Sequence, residues 1–242
     1  MIQARIFVYG MQSSGASLFC GLLGQIPQSV AIIDLWAGQV APQLVLAAPV
    51  VVLKATVTTD VTLFEHVARF QPTTSILFLR HPAAVVQSLL AKEYARVGGS
   101  ISDKLAALEH YYSNLRDWFD LVVRYEDCGR SIVGVIECLQ SRGILLPNTA
   151  ARFDRSLHAI VQHNQLVSDW CRVNYGRKWG IGNIHLDKWG TFNNISRPLS
   201  KRALDLAATC CPTVMSQYQN DGGCAEGKHA NLVGEAGPAR HC

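Results

Sequence analysis

The chain has 242 residues, 49% of them hydrophobic and 17% charged, with a net charge of +4. That composition suits one large α/β domain built on a sheet buried on both faces. The charge is too mild and too dispersed for a nucleic-acid-binding surface, though it is compatible with an anionic small molecule.

The predicted elements alternate strand and helix in the pattern of a parallel sheet with crossover helices. Ile6–Tyr9 predicts a first strand and Gly15–Leu23 the helix after it. Val30–Ile33 predicts a second strand ending at Asp34, and Val50–Leu53 a buried strand ending at Lys54. Thr62–Phe70 is an amphipathic helix, and Ile76–Leu79 an apolar strand ending at Arg80. Pro82 opens the next helix, where its missing N–H costs nothing. Ile101–Phe119 has apolar residues at helical spacing, Leu121–Arg124 is a strand, and a helix follows to about Gln140. The pattern weakens over 151–185, and Arg202–Tyr218 predicts a last helix. The expected organisation is one domain over 1–219 and a mobile tail over 220–242, with no repeat.

Eight cysteines include no CxxC pair, which argues against zinc-type spacing. Most are expected to be small buried hydrophobes in a reducing compartment. The opening apolar run is too short for a signal peptide, and Leu44–Leu53, interrupted by Pro49, is too short to span a bilayer. A cytoplasmic protein with no membrane partner is the expectation. His158, His163 and His185 lack ligand-type spacing, so no metal is assigned.

The first segment with chemical content is Gly10-Met11-Gln12-Ser13-Ser14-Gly15-Ala16-Ser17, between a strand and a helix. Its two glycines let the backbone wrap closely around an anion. The N–H groups of the helix start point at that anion and the helix dipole favours its charge. Correct flanking elements favour this reading over a plain polar turn. The spacing is G-x-x-x-x-G-A-S, so Ala16 stands where a Walker lysine would reach the β/γ-phosphates, which argues against a kinase or ATPase. The second segment is Arg80-His81-Pro82, followed by Ser88 two turns into the next helix. Ligands of open α/β sheets sit at such strand ends.

Together these segments resemble the PAPS-dependent sulfotransferase family (PAPS is 3′-phosphoadenosine-5′-phosphosulfate). The similarity includes Arg80 and Ser88 at their eight-residue separation, the strand-R-x-P run Ile76–Pro82, and Val123-Arg124-Tyr125-Glu126-Asp127, which looks like the family's YED segment. It covers residues 5 to 218 in order. The resemblance implies a P-loop-type three-layer α/β fold with a central, mostly parallel sheet. It implies that Gly10, Gln12, Ser13, Ser14, Gly15, Ala16 and Ser17 hold the 5′-phosphosulfate, and that Arg80 and Ser88 hold the 3′-phosphate. It implies PAPS as co-substrate, PAP as product and no metal. The acceptor would carry a hydroxyl or amine, as a carbohydrate or small metabolite does.

The chain departs from the family's pattern at Ser13, where family loops usually carry Lys or Arg. Lys54 is the candidate replacement cation; the alternative is an exposed strand-end lysine. Thr56 stands where many members carry a basic histidine, and it cannot act as a base at neutral pH. Asp34 matches the placement of a carboxylate base in carbohydrate-modifying members, with N-capping over Leu35-Trp36 as the alternative. His81 is a further candidate base, more in keeping with shaping the pocket. Glu126 and Asp127 are expected to fix a turn. Arg177-Lys178-Trp179-Gly180 is reminiscent of a C-terminal segment that holds the 3′-phosphate; the alternative is a surface loop. Three readings follow: an active sulfotransferase, a degenerate binder of PAP or PAPS, and, least favoured, a P-loop nucleoside kinase or NTPase.

Overall fold

The computed structural model describes residues 4–35, 38, 40–41, 48–148, 192, 198–218 and 225–226. Period-two alternation splits each central strand between two cores. In β1 (Ala4–Gly10), Phe7 and Tyr9 enter one core while Ile6 and Val8 enter the other. β2 (Ser29–Leu35), β3 (Val50–Thr56), β4 (Thr74–Leu79) and β5 (Leu121–Arg124) join it in a parallel sheet. A two-residue antiparallel strand, β6 (Ala225–Glu226), closes the order β2-β3-β1-β4-β5-β6. The expected fold class, a mostly parallel sheet between helical layers, is the one observed.

Helices cover both faces, as an all-apolar parallel sheet requires. α1 (Ala16–Leu23), α5 (Tyr125–Arg130) and α6 (Ile132–Ser141) pack on the face of Val8, Val52 and Phe78. α2 (Leu63–Phe70), α3 (Pro82–Leu90), α4 (Ile101–Leu115), α7 (Lys201–Cys210) and α8 (Pro212–Tyr218) pack on the face of Phe7, Leu53 and Leu77. Local signals set the ends. Thr62 and Glu65 form a capping box on α2, and the Ser100 hydroxyl accepts from the Asp103 N–H at 3.1 Å to open α4.

The expected long helix after Ile101 stops at Leu115 and continues only as a 3₁₀ turn over Arg116–Trp118. The expected last helix is two, because the chain breaks at Cys211 before Pro212, which cannot donate to a continuing ladder. The Glu109 carboxylate accepts from the Thr213 and Val214 N–H groups at 2.9 and 3.1 Å, capping the new start. Cys20, Cys128 and Cys211 are free and buried as expected, whereas Cys138 is disulfide-bonded. Among the described residues no helix is long and apolar enough to cross a membrane.

β1 and β4 are neighbours, yet their following helices go to opposite faces: α1 to one core and α3 to the other. Such a divergence opens a crevice at the carboxyl ends of the two strands. It lies between Gly10–Ser17 and Arg80–Pro82.

Candidate anion-binding site at the sheet's carboxyl edge

The loop after β1 turns back on itself through two left-handed residues, Ser13 at φ 63° and Gly15 at φ 91°. Chain that alternates in this way can form a concave nest of N–H groups, and here it leads into the first turn of α1. Glycine is required twice for want of space. A Cβ on Gly10 would lie 2.8 Å from the Phe78 carbonyl oxygen, and one on Gly15 would meet the Tyr125 ring at 2.5 Å. The Ser14 hydroxyl accepts from the Ala16 N–H at 3.3 Å, and the Ser14 N–H donates to the Met11 carbonyl at 3.2 Å, so the turn is internally braced. Ser17 follows on the first turn of α1.

Arg80 leaves the end of β4 on the α1 face, as alternation from Ile76 and Phe78 requires. Its guanidinium carbon lies 4.4 Å from the centre of the Tyr125 ring, and Nη1 donates to the Ser13 carbonyl at 3.1 Å. Three segments that looked separate in sequence therefore meet at one ring: Gly15 against Tyr125, Arg80 over it, and Phe192 edge-on at 5.1 Å. Stacking fixes the plane of the guanidinium while leaving its charge unneutralised by the ring.

The rest of the Tyr125–Asp127 segment is structural. Asp127 takes a bidentate bond from Arg124, 2.9 Å from Nε and 3.1 Å from Nη2, and Arg124 Nη1 donates to the Tyr218 carbonyl at 2.9 Å. Glu126 accepts from the His81 N–H at 3.3 Å and from the Tyr218 hydroxyl. The segment after β5 is the start of a helix and not the expected turn; Glu126 instead ties α8 and α5 to the β4–α3 turn, and Asp127 holds Arg124. His81 sits edge-on to Tyr218 at 5.5 Å, and burial lowers its pKa, opposed by Glu126 and reinforced by Arg80.

Lys54 lies within β3, two residues before its end, and is 4% exposed, so the exposed-lysine alternative is corrected. It shares the α1 face with Val52 and donates from Nζ to Thr56 Oγ1 at 2.8 Å, where Thr56 is paired in register with Gly10. Its ammonium is thus directed along the strand to the edge where the loop begins. Ser88 is half-buried on α3, two turns after Arg80.

Asp34 lies inside β2, one residue before its end, rather than after the strand. Leu35 is strand too, so Asp34 is no N-cap of a helix beginning there. The β2–β3 register shifts between Ile32 and Leu35, which puts Asp34 in the irregular stretch opposite Lys54. Its side chain lies outside what the structure describes, as do Arg177, Lys178 and Trp179 entirely. Among the described residues no group of three His, Cys, Asp or Glu is placed to hold a metal ion.

Two lysines at the site went unremarked in the sequence. Lys104 on α4 is fully buried and donates to Gln12 Oε1 at 2.6 Å and to the carbonyls of Ala95 and Val97 at 3.0 and 2.5 Å. Burial pulls its pKa down to about 8 against the attraction of Asp60. Lys92, just past the end of α3, donates to the Ser13 hydroxyl at 2.8 Å. Neither falls in a motif; both reach the loop across 79 or more residues of chain.

No family model matches the chain, and no curated protein matches it. Solved structures do. The chain is similar to mouse sulfotransferase SULT7A1 complexed with PAP, at 15% identity and a TM-score of 0.44, covering 86% of this chain and 90% of that one. It is also similar to retinol dehydratase in complex with androsterone and the inactive cofactor PAP, at 11% identity and a TM-score of 0.41, covering 86% of this chain and 80% of that one. The likeness runs to proteins solved with PAP and does not extend to activity or acceptor.

Proposed function

We propose that the chain is a sulfotransferase that moves a sulfuryl group from PAPS to a hydroxyl or amine acceptor, a carbohydrate or small metabolite. The observation that carries this is the meeting of a lysine-free phosphate-type loop with an arginine at the next strand end, Arg80 Nη1 on the Ser13 carbonyl at 3.1 Å. A nucleotide with phosphates on both the 5′ and 3′ positions needs two anion grips at one crevice. Gly10–Ser17 serves the 5′-phosphosulfate through main-chain N–H groups. Arg80 and Ser88, with Arg177 and Lys178, serve the 3′-phosphate.

Transfer is direct and in line. The acceptor oxygen bonds to sulfur as the bond from sulfur to the 5′-phosphate oxygen breaks, and PAP leaves. Asp34 takes the acceptor proton, and Lys54 balances the charge that grows on the leaving phosphate. No metal or covalent intermediate enters the scheme, and the protein works in the cytoplasm without a nucleic-acid or membrane partner.

A second reading, a binder of PAP or PAPS without turnover, draws on Ser13 and on Thr56, whose hydroxyl is engaged by Lys54 instead of a base. A thermal shift with PAP beside ATP–magnesium tests the shared core of both. PAP at about 100 times its Kd adds about 2.7 kcal/mol of stability. A shift with ATP–magnesium and none with PAP overturns the reading in favour of a nucleotide kinase or NTPase. Radiolabelled PAPS with an acceptor panel then separates enzyme from binder: label on an acceptor marks the enzyme.

A further inference from the structure

We infer that Lys92 supplies the cation of the anion-binding loop, brought in from α3 instead of encoded within the loop, and that it meets the 5′-phosphosulfate end of the nucleotide. The inference rests on the PAPS reading above. Gly10–Ser17 contains neither lysine nor arginine. A doubly charged phosphate held by main-chain N–H groups alone lacks a charge-assisted partner, and such partners form the stronger contacts.

Ser13 is where the structure brings charge to this loop. Its hydroxyl accepts from Lys92 Nζ at 2.8 Å, and its carbonyl accepts from Arg80 Nη1 at 3.1 Å. α3 spans Pro82–Leu90, so its two ends each deliver one cation to a single residue of the loop.

The position of Lys92 is itself fixed. Its N–H donates to the Leu89 carbonyl at 2.9 Å and its carbonyl accepts from the Ala95 N–H at 3.2 Å. Lys104 then grips the Ala95 and Val97 carbonyls and Gln12 with one buried ammonium. The segment that carries Lys92 and the loop that carries Ser13 are thus held to each other by a common strut. Preorganisation of this kind lets a lysine act as a placed charge instead of a mobile surface group.

The alternative is a peg: Lys92 merely holds Ser13 in shape. Binding of PAP, adenosine 5′-monophosphate and adenosine 3′-monophosphate to Lys92→Gln and Lys92→Arg, measured by calorimetry, decides. Glutamine keeps a donor for Ser13 without the charge; arginine keeps the charge. Lys92→Gln weakens PAP and the 5′-monophosphate by roughly ten- to a hundredfold, the size of one charge-assisted bond, and leaves the 3′-monophosphate unchanged. Lys92→Arg stays within a few-fold of wild type. PAP binding unchanged in Lys92→Gln, an equal loss for both monophosphates, or Arg behaving as Gln would each overturn the assignment of Lys92 and leave the PAPS site standing. Failure of the wild-type chain to bind PAP overturns both.

Discussion

Adjacent strands β4 and β5 each carry an arginine at the carboxyl end, Arg80 just after β4 and Arg124 as the last residue of β5, and the two side chains meet different partners. Arg124 is bidentate on Asp127, with side chains 8% and 13% exposed, and its third bond goes to the Tyr218 carbonyl. Arg80 stacks on Tyr125 and donates to the neutral carbonyl of Ser13. A guanidinium matched by a carboxylate has lost its field and serves only to hold the fold. Arg80, by contrast, lies over a ring and against a carbonyl of the anion-binding loop. Both arginines lie over a tyrosine ring and donate to a carbonyl; the bidentate carboxylate on Arg124 is what the two sites do not share in these contacts.

Breaking the Arg124 pair has the largest expected effect. Asp127→Ala removes the carboxylate from a buried guanidinium and costs about 3–5 kcal/mol in urea unfolding. The affinity of the folded fraction for PAP changes little. A loss below 1 kcal/mol would show the pair to be solvated, and the contrast with Arg80 would go.

Acid sensitivity of the fold is expected at His66, away from both arginines. His66 is buried between Phe7 and Tyr9, and its Nδ1 accepts from the Ala41 N–H at 3.0 Å. Burial lowers its pKa from 6.5 to about 4, against a weaker pull from Glu65. Between those values the unfolded chain binds the extra proton, so stability is full above pH 6.5 and falls as pH drops towards 4. The loss is about 3 kcal/mol at one pKa unit per 1.36 kcal/mol. His66→Asn, which keeps an acceptor for Ala41, flattens that limb of a pH series of urea midpoints. An unchanged limb would move the acid sensitivity elsewhere.

Arg80→Ala is the mildest of these to the fold. Without ligand it costs about 1 kcal/mol, one hydrogen bond and one ring contact. It removes most of the roughly 2.7 kcal/mol that PAP contributes at 100 times its Kd. A PAP shift that survives Arg80→Ala would put Arg80 in the same structural class as Arg124.

Much of this was legible in the chain. The apolar runs ending in Gly10, Lys54 and Arg80 are strands with those residues at or near their carboxyl ends, because a strand buried on both faces leaves an uninterrupted apolar signature. Gly10 and Gly15 marked the tight loop for the same local reason. The misplacement of Asp34 came from a bulge, which adds a residue to a strand without altering its composition. Lys92 and Lys104 carried no signal, since a lysine after a helix or inside one looks like a solvated surface residue.

The sequence by itself thus determined the order of elements, the turn geometry of the first loop and the two-sided burial of the sheet, all of which follow from residue spacing within a few turns of chain. The tertiary structure alone decided which arginine meets Asp127 and which meets Ser13, which face Lys54 lies on, and that a lysine 79 residues away lands on Ser13. Those outcomes depend on long-range packing, where the partner of a charge, not its type, sets what it can do.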